Sequence, residues 1–126
     1  MKHPLFNPLK PWVFLLIAGP TLLVFSCKKD DPNPVDCSGL EPTYTADIKQ
    51  ILDASCALSG CHDAITSQNG VNLSTYATAQ SVSMEDRFLG VIRHDGGFTP
   101  MPYNQPKLND ATIQLLTCWV QNGSPQ

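Results

Sequence analysis

An apolar stretch over residues 12–25, preceded by Lys2 and Lys10 and followed at once by Ser26 and Cys27, divides this chain into a leader and a part that must supply the whole fold. A basic start, an apolar run and a small residue before the break are the layout of a secretory signal peptide. The run is interrupted at Gly19-Pro20-Thr21 and covers about 14 residues, against the roughly 20 that a helix needs to cross a bilayer. Pro20 would also break a helix at that point. Residues 1–26 are therefore read as a removable leader and not as a transmembrane span. The formal charge of the chain is −3, and removing Lys2 and Lys10 takes the mature chain to −5. So acidic a surface is a poor match for a phosphate backbone, and no nucleic acid is expected as a partner.

The segment Leu23-Val24-Phe25-Ser26-Cys27 resembles the lipobox cut by lipoprotein signal peptidase, which implies that Cys27 becomes the first mature residue and carries lipid. An ordinary secretory leader with an incidental cysteine is the plainer alternative. Residues 28–34 are polar and punctuated by Pro32 and Pro34, the composition of a solvated tether. The expected division is a signal peptide at 1–26, a lipidated tether at 27–40 and a folded domain at 41–126. Attachment to the membrane is then through acyl chains on Cys27. Cys27-Lys28-Lys29-Asp30-Asp31 also resembles the lysine-plus-two-acids signal that sends some Gram-negative lipoproteins to the outer face of the outer membrane, although a generic charged linker has the same residues. The expected location is the cell envelope, as an outer-membrane lipoprotein that is either periplasmic or surface-exposed.

About 90 residues make one small domain with a thin core, of a size that commonly relies on a covalent staple, a metal or a cofactor. The pattern along these residues is helical. Ile48, Ile51 and Leu52 share one face of a helix predicted over residues 45–55, with Thr43 or Thr45 as N-cap. A short helix is expected over 73–80, capped by Ser74 or Thr75, and another over 85–92. In the last helix, Asn109 or Asp110 serves as N-cap, Ile113, Leu116, Trp119 and Val120 form an apolar stripe, and Gly123 is the stop. That stripe should pack against the first helix. Residues 94–103, with two glycines and two prolines, can be neither helix nor central strand and form a shaped loop. No alternating β-branched run is present, and the fold class is all-α.

Five cysteines, at 27, 37, 56, 61 and 118, enter an oxidising compartment. Two of them stand in Cys56-Ala57-Leu58-Ser59-Gly60-Cys61-His62, directly after the first predicted helix. A cysteine pair closed by a histidine is the arrangement that attaches c-type haem: the two thiols add across vinyl groups on neighbouring pyrroles, and the adjacent imidazole reaches the iron. The usual spacing has two intervening residues and this chain has four, a difference that a bulge at Ser59-Gly60 can absorb.

Residues 44–126 resemble the cytochrome c-like domains of exported bacterial lipoproteins. The shared features are a helix ending in Cys-X4-Cys-His, the Asn72-Leu73-Ser74 segment followed by Tyr76, the Gly96-Gly97 loop leading to Met101-Pro102, and a final helix ending Trp119-Val120-Gln121-Asn122-Gly123. The resemblance implies a small domain with its N- and C-terminal helices packed together and long loops between them. It implies covalent haem c held through Cys56 and Cys61, with His62 as proximal ligand and Met101 as distal ligand. The function implied is that of a membrane-tethered mono-haem electron carrier rather than an enzyme, with a redox partner that the sequence does not name. A thioether is soft and uncharged, and His/Met ligation favours Fe(II) and raises the reduction potential. His94, on the same loop, is the rival sixth ligand, and Met101 could instead simply fill a core gap. Leu73, Tyr76, Phe88, Phe98 and Trp119 are the expected pocket groups.

Cys37 and Cys118 are then left over. A disulfide between them would close a loop of about 80 residues and add roughly 4 kcal/mol by the chain-entropy model; two unpaired buried thiols are the alternative. Two other readings compete for the whole site. One is a haem-free, disulfide-stabilised binding or structural surface lipoprotein with a local Cys56–Cys61 bridge. The other is a zinc site built from Cys56, Cys61 and His62 with Cys118 or His94.

Overall fold

The computed structural model describes residues 35–126, all within one compact unit. The signal peptide expected at 1–26, the lipidation of Cys27 and the tether up to residue 34 lie outside the described residues. Among the described residues there is no strand, and the fold is all-α. Helix α1 is Lys49–Ser55, entered through a π-helical turn at Tyr44–Ile48; α2 is Tyr76–Ser83, α3 is Arg87–Arg93 and α4 is Asp110–Gln121. No described helix is long and apolar enough to cross a membrane.

The π turn, α2 and α4 each start on a side-chain cap. Thr43 accepts from the Ala46 amide at 3.3 Å, and its own amide donates to the Asp47 carboxylate at 2.9 Å. This is a reciprocal cap with one residue more than the usual box, and it spans the wider π turn that replaces the expected α-helical start. Thr75 caps α2 and Asn109 caps α4 through the same kind of bond. Helix α2 begins later than predicted because the Ser74 amide turns back onto Asn72 Oδ1 (2.9 Å) and the Leu73 amide is committed to the His62 carbonyl (2.8 Å). Helix α4 ends in a Schellman motif: Gly123 takes φ +85°, its amide bonds Val120 O at 3.0 Å, and the Ser124 amide bonds Trp119 O at 2.8 Å.

The core lies where α4 meets the π turn and α3. Ile48, Leu116 and Trp119 are fully buried, with Tyr44, Leu52, Phe88 and Ile92 packed around them. The expected contact between the last and first helices is thus made by the π turn. Trp119 Nε1 donates to Pro125 O at 2.8 Å, and the Tyr44 amide donates to the same oxygen at 2.9 Å, so the chain end is folded back over the core. Tyr76 Oη and Gln80 Nε2 hold Ser124 O, and the buried Ser83 and Ser124 hydroxyls meet at 2.7 Å.

Residues 36–40, assigned to the tether from sequence, belong to the folded unit. Cys37 is bonded to Cys118, Gln114 Nε2 donates to Asp36 O at 2.8 Å and Asn122 Nδ2 donates to Leu40 O at 3.1 Å. Their partners are Gln114 on α4 and Asn122 at its C-cap, a long-range pairing that local composition does not carry. Cys118 is completely buried, and the disulfide occupies the position that two free thiols would otherwise hold.

Candidate functional site

The segment after α1 is wound into a compact loop by its own backbone. Cys56 caps the helix, its amide bonded to Leu52 O at 2.9 Å. Residues 58–61 form a turn closed by Cys61 N–H to Leu58 O at 2.9 Å, with Gly60 at φ +82° in the place where a type II turn requires glycine. The His62 amide then returns to Cys56 O at 3.2 Å, so the four residues between the cysteines, two more than the usual spacing, are looped out while the loop ends meet. Asp63, which the sequence did not mark, organises the far side. Its carboxylate accepts from the amides of Thr66, Ile65 and Gly60 at 2.8, 2.7 and 2.9 Å, and these bonds hold it below the usual carboxylate range.

His62 is oriented by Val71. Its Nδ1 lies 3.2 Å from the Val71 carbonyl, which can only accept. Nδ1 is therefore the donor of this bond, which leaves Nε2 as the ring nitrogen that could serve as a ligand. Nothing in the sequence pointed to Val71, because a backbone carbonyl leaves no residue signature.

Met101 arrives from the loop between α3 and α4, more than thirty residues later in the chain. Together with Cys56, Cys61 and His62 it lines a single cavity of about 1050 Å³, at the upper end of the roughly 300–1,000 Å³ of small-molecule and cofactor sites. The walls are mostly apolar: Leu52, Val71, Leu73, Val82, Phe88, Val91 and Leu116. Arg87 is the one arginine or lysine among the lining residues. Of the pocket groups expected from sequence, Leu73 and Phe88 are in place. Tyr76 and Trp119 lie in the core instead, and the Phe98 ring rests against buried Gly90, where a Cβ would come within 2.6 Å of it.

The rival donors are committed elsewhere. His94 is not a wall of the cavity, and its Nε2 donates to the Met101 carbonyl at 3.0 Å. Cys118 is in the disulfide, and among the described residues no group of three or more His, Cys, Asp or Glu side chains is placed to hold an ion. The zinc reading thus loses both of its candidate fourth ligands. Cys56 and Cys61 are free thiols, not a local bridge.

The two thiols differ in reactivity. Burial pushes Cys56 up to about 11, with Cys61 beside it adding to the rise, whereas Cys61 is exposed. In the haem-free protein at about pH 8, iodoacetamide is expected to label Cys61 first. Cys56 should lag an exposed thiol by roughly 100-fold, the loss of thiolate that follows from so high a pKa. Peptide mass spectrometry over a time course measures this, and equal rates would place Cys56 in solvent.

No protein-family model, curated protein or solved structure matches the chain. The site itself gathers two free thiols, an imidazole and a thioether among the residues that line one mostly apolar cavity.

Proposed function

We propose that this chain is a membrane-tethered mono-haem c-type cytochrome, an electron carrier with a cytochrome c-like domain anchored through acylated Cys27 in the cell envelope. The observation that carries the reading is the convergence of Cys56, Cys61, His62 and Met101, drawn from two distant segments, on one apolar cavity. The donor set fits the cofactor: two unbridged thiols for thioether bonds, a histidine whose Nε2 is available, and an uncharged sulfur from a separate loop. Haem c supplies a one-electron couple when bound. The remaining work falls to the protein. Cys56 and Cys61 would hold the group through their sulfurs, His62 and Met101 would be its protein ligands, and the apolar walls around Leu73 and Phe88 would keep water from it. That exclusion disfavours the more highly charged state, in the same direction as His/Met ligation.

Exported protein is expected to be red, with a pyridine haemochrome spectrum that survives acid-acetone extraction. Met101→Ala should keep the attached haem and lower its potential, as measured by redox titration, because a hard or absent sixth ligand no longer favours Fe(II). A colourless export product sinks the proposal.

A further inference from the structure

Helix α3 ends in an arrangement that its length alone does not need. Its C-cap, His94, is in the left-handed region at φ 60°, ψ 38°, where glycine or asparagine is favoured because a Cβ is strained there. A histidine at such a cap keeps a side chain that glycine would lack. That side chain is used: Nε2 donates to the Met101 carbonyl at 3.0 Å. The Met101 amide in turn donates at 2.9 Å to the Val91 carbonyl, one of the acceptors left open at the end of α3. Both backbone polar groups of Met101 are thus held by the same helix end, at a residue that lines the cavity. No other residue of the 94–103 loop is gripped at both groups by α3 among the described hydrogen bonds.

We infer that His94 is the positioning residue for Met101: it closes a two-point clamp that presents the thioether to the cavity and does not itself bind there. This rests on the haem reading above for the role of Met101, but the clamp can be tested without it. A strained left-handed cap persists where the surrounding structure holds it, and among the described residues the hydrogen bond that its side chain makes goes to Met101.

His94→Gly separates the two roles, because it relieves the backbone while deleting the donor. A purely structural cap predicts no change at the site. The clamp predicts that H94G keeps covalent haem and a thermal midpoint equal to or above that of the parent. It should nevertheless lose half or more of the thioether-to-ferric-iron absorbance and show a lower potential. In the haem-free full chain, the Met101 amide should exchange roughly 3- to 10-fold faster, the factor that one hydrogen bond supports. His94→Gln, which restores an amide donor, should recover part of the absorbance. Unchanged absorbance, potential and exchange in H94G overturn the clamp. If H94G does not fold, His94→Asn, which tolerates the same backbone but has a shorter reach, is scored in the same way. If the parent protein carries no haem, the cytochrome reading fails, and the Met101 exchange rate decides the clamp by itself.

Discussion

Cys61→Ala is expected to leave a folded protein whose haem is largely extracted by acidified acetone, whereas that of the parent is retained. The asymmetry between the two cysteines makes this the decisive variant. Cys61 is exposed, and the turn around it is held by backbone bonds and by Asp63, so loss of its sulfur removes no packing and should cost under about 0.5 kcal/mol of stability. Cys56 is half-buried against the core, so its truncation mixes loss of attachment with loss of packing. A covalent grip through both sulfurs predicts at least a tenfold drop in acid-resistant haem for C61A at an unchanged thermal midpoint, and a colourless product for the double variant with Cys56→Ala. The comparison uses haemochrome absorbance per mole of protein. Haem content independent of both cysteines would leave at most a b-type site in the same cavity and would remove the reason for the motif.

Removal of the Cys37–Cys118 bridge is expected to cost about 4 to 5 kcal/mol, read as a shift of the urea midpoint in a variant with alanine at both positions. The bridge joins residues 81 apart in sequence, and in the chain-entropy model a loop of that size restricts the unfolded ensemble by about this amount. Typical domains are stable by only about 5 to 15 kcal/mol, so the loss is a large share for so small a core. It should lower the thermal midpoint by roughly 15 to 30 °C. Alanine is the right replacement at Cys118, because the site is fully buried and a serine hydroxyl there would add a desolvation cost of its own. A change below about 1 kcal/mol would mean that the bonds from Gln114 and Asn122 to residues 36–40 already hold the N-terminal strap.

What was legible in the sequence was what local rules decide. The Thr43, Thr75 and Asn109 caps, the Gly123 stop and the stripe of Ile113, Leu116 and Trp119 on α4 all follow from neighbours within a few residues. The turn at Ser59-Gly60 followed from the glycine alone. Where prediction drifted, a distant partner had intervened: α2 starts late because Leu73 is tied to His62, and residues 36–40 are folded because α4 supplies their partners. Tyr76 and Trp119 look like pocket aromatics in sequence and are core residues in space, since aromatic character does not say which side of a wall a ring occupies.

By itself, then, the order of residues determined an all-α domain over the described residues, the side chains able to cap its helices and the chemical types available: two thiols and an imidazole in one short loop, and a thioether in another. Only the tertiary structure decided which of these meet. It brought Met101 to the cavity of His62, turned His94 away from it and onto the Met101 carbonyl, and oriented the His62 ring through Val71. The physical reason is that hydrogen bonds between backbone groups far apart in sequence have no residue signature, and they become visible only when the packed helices bring donor and acceptor within reach.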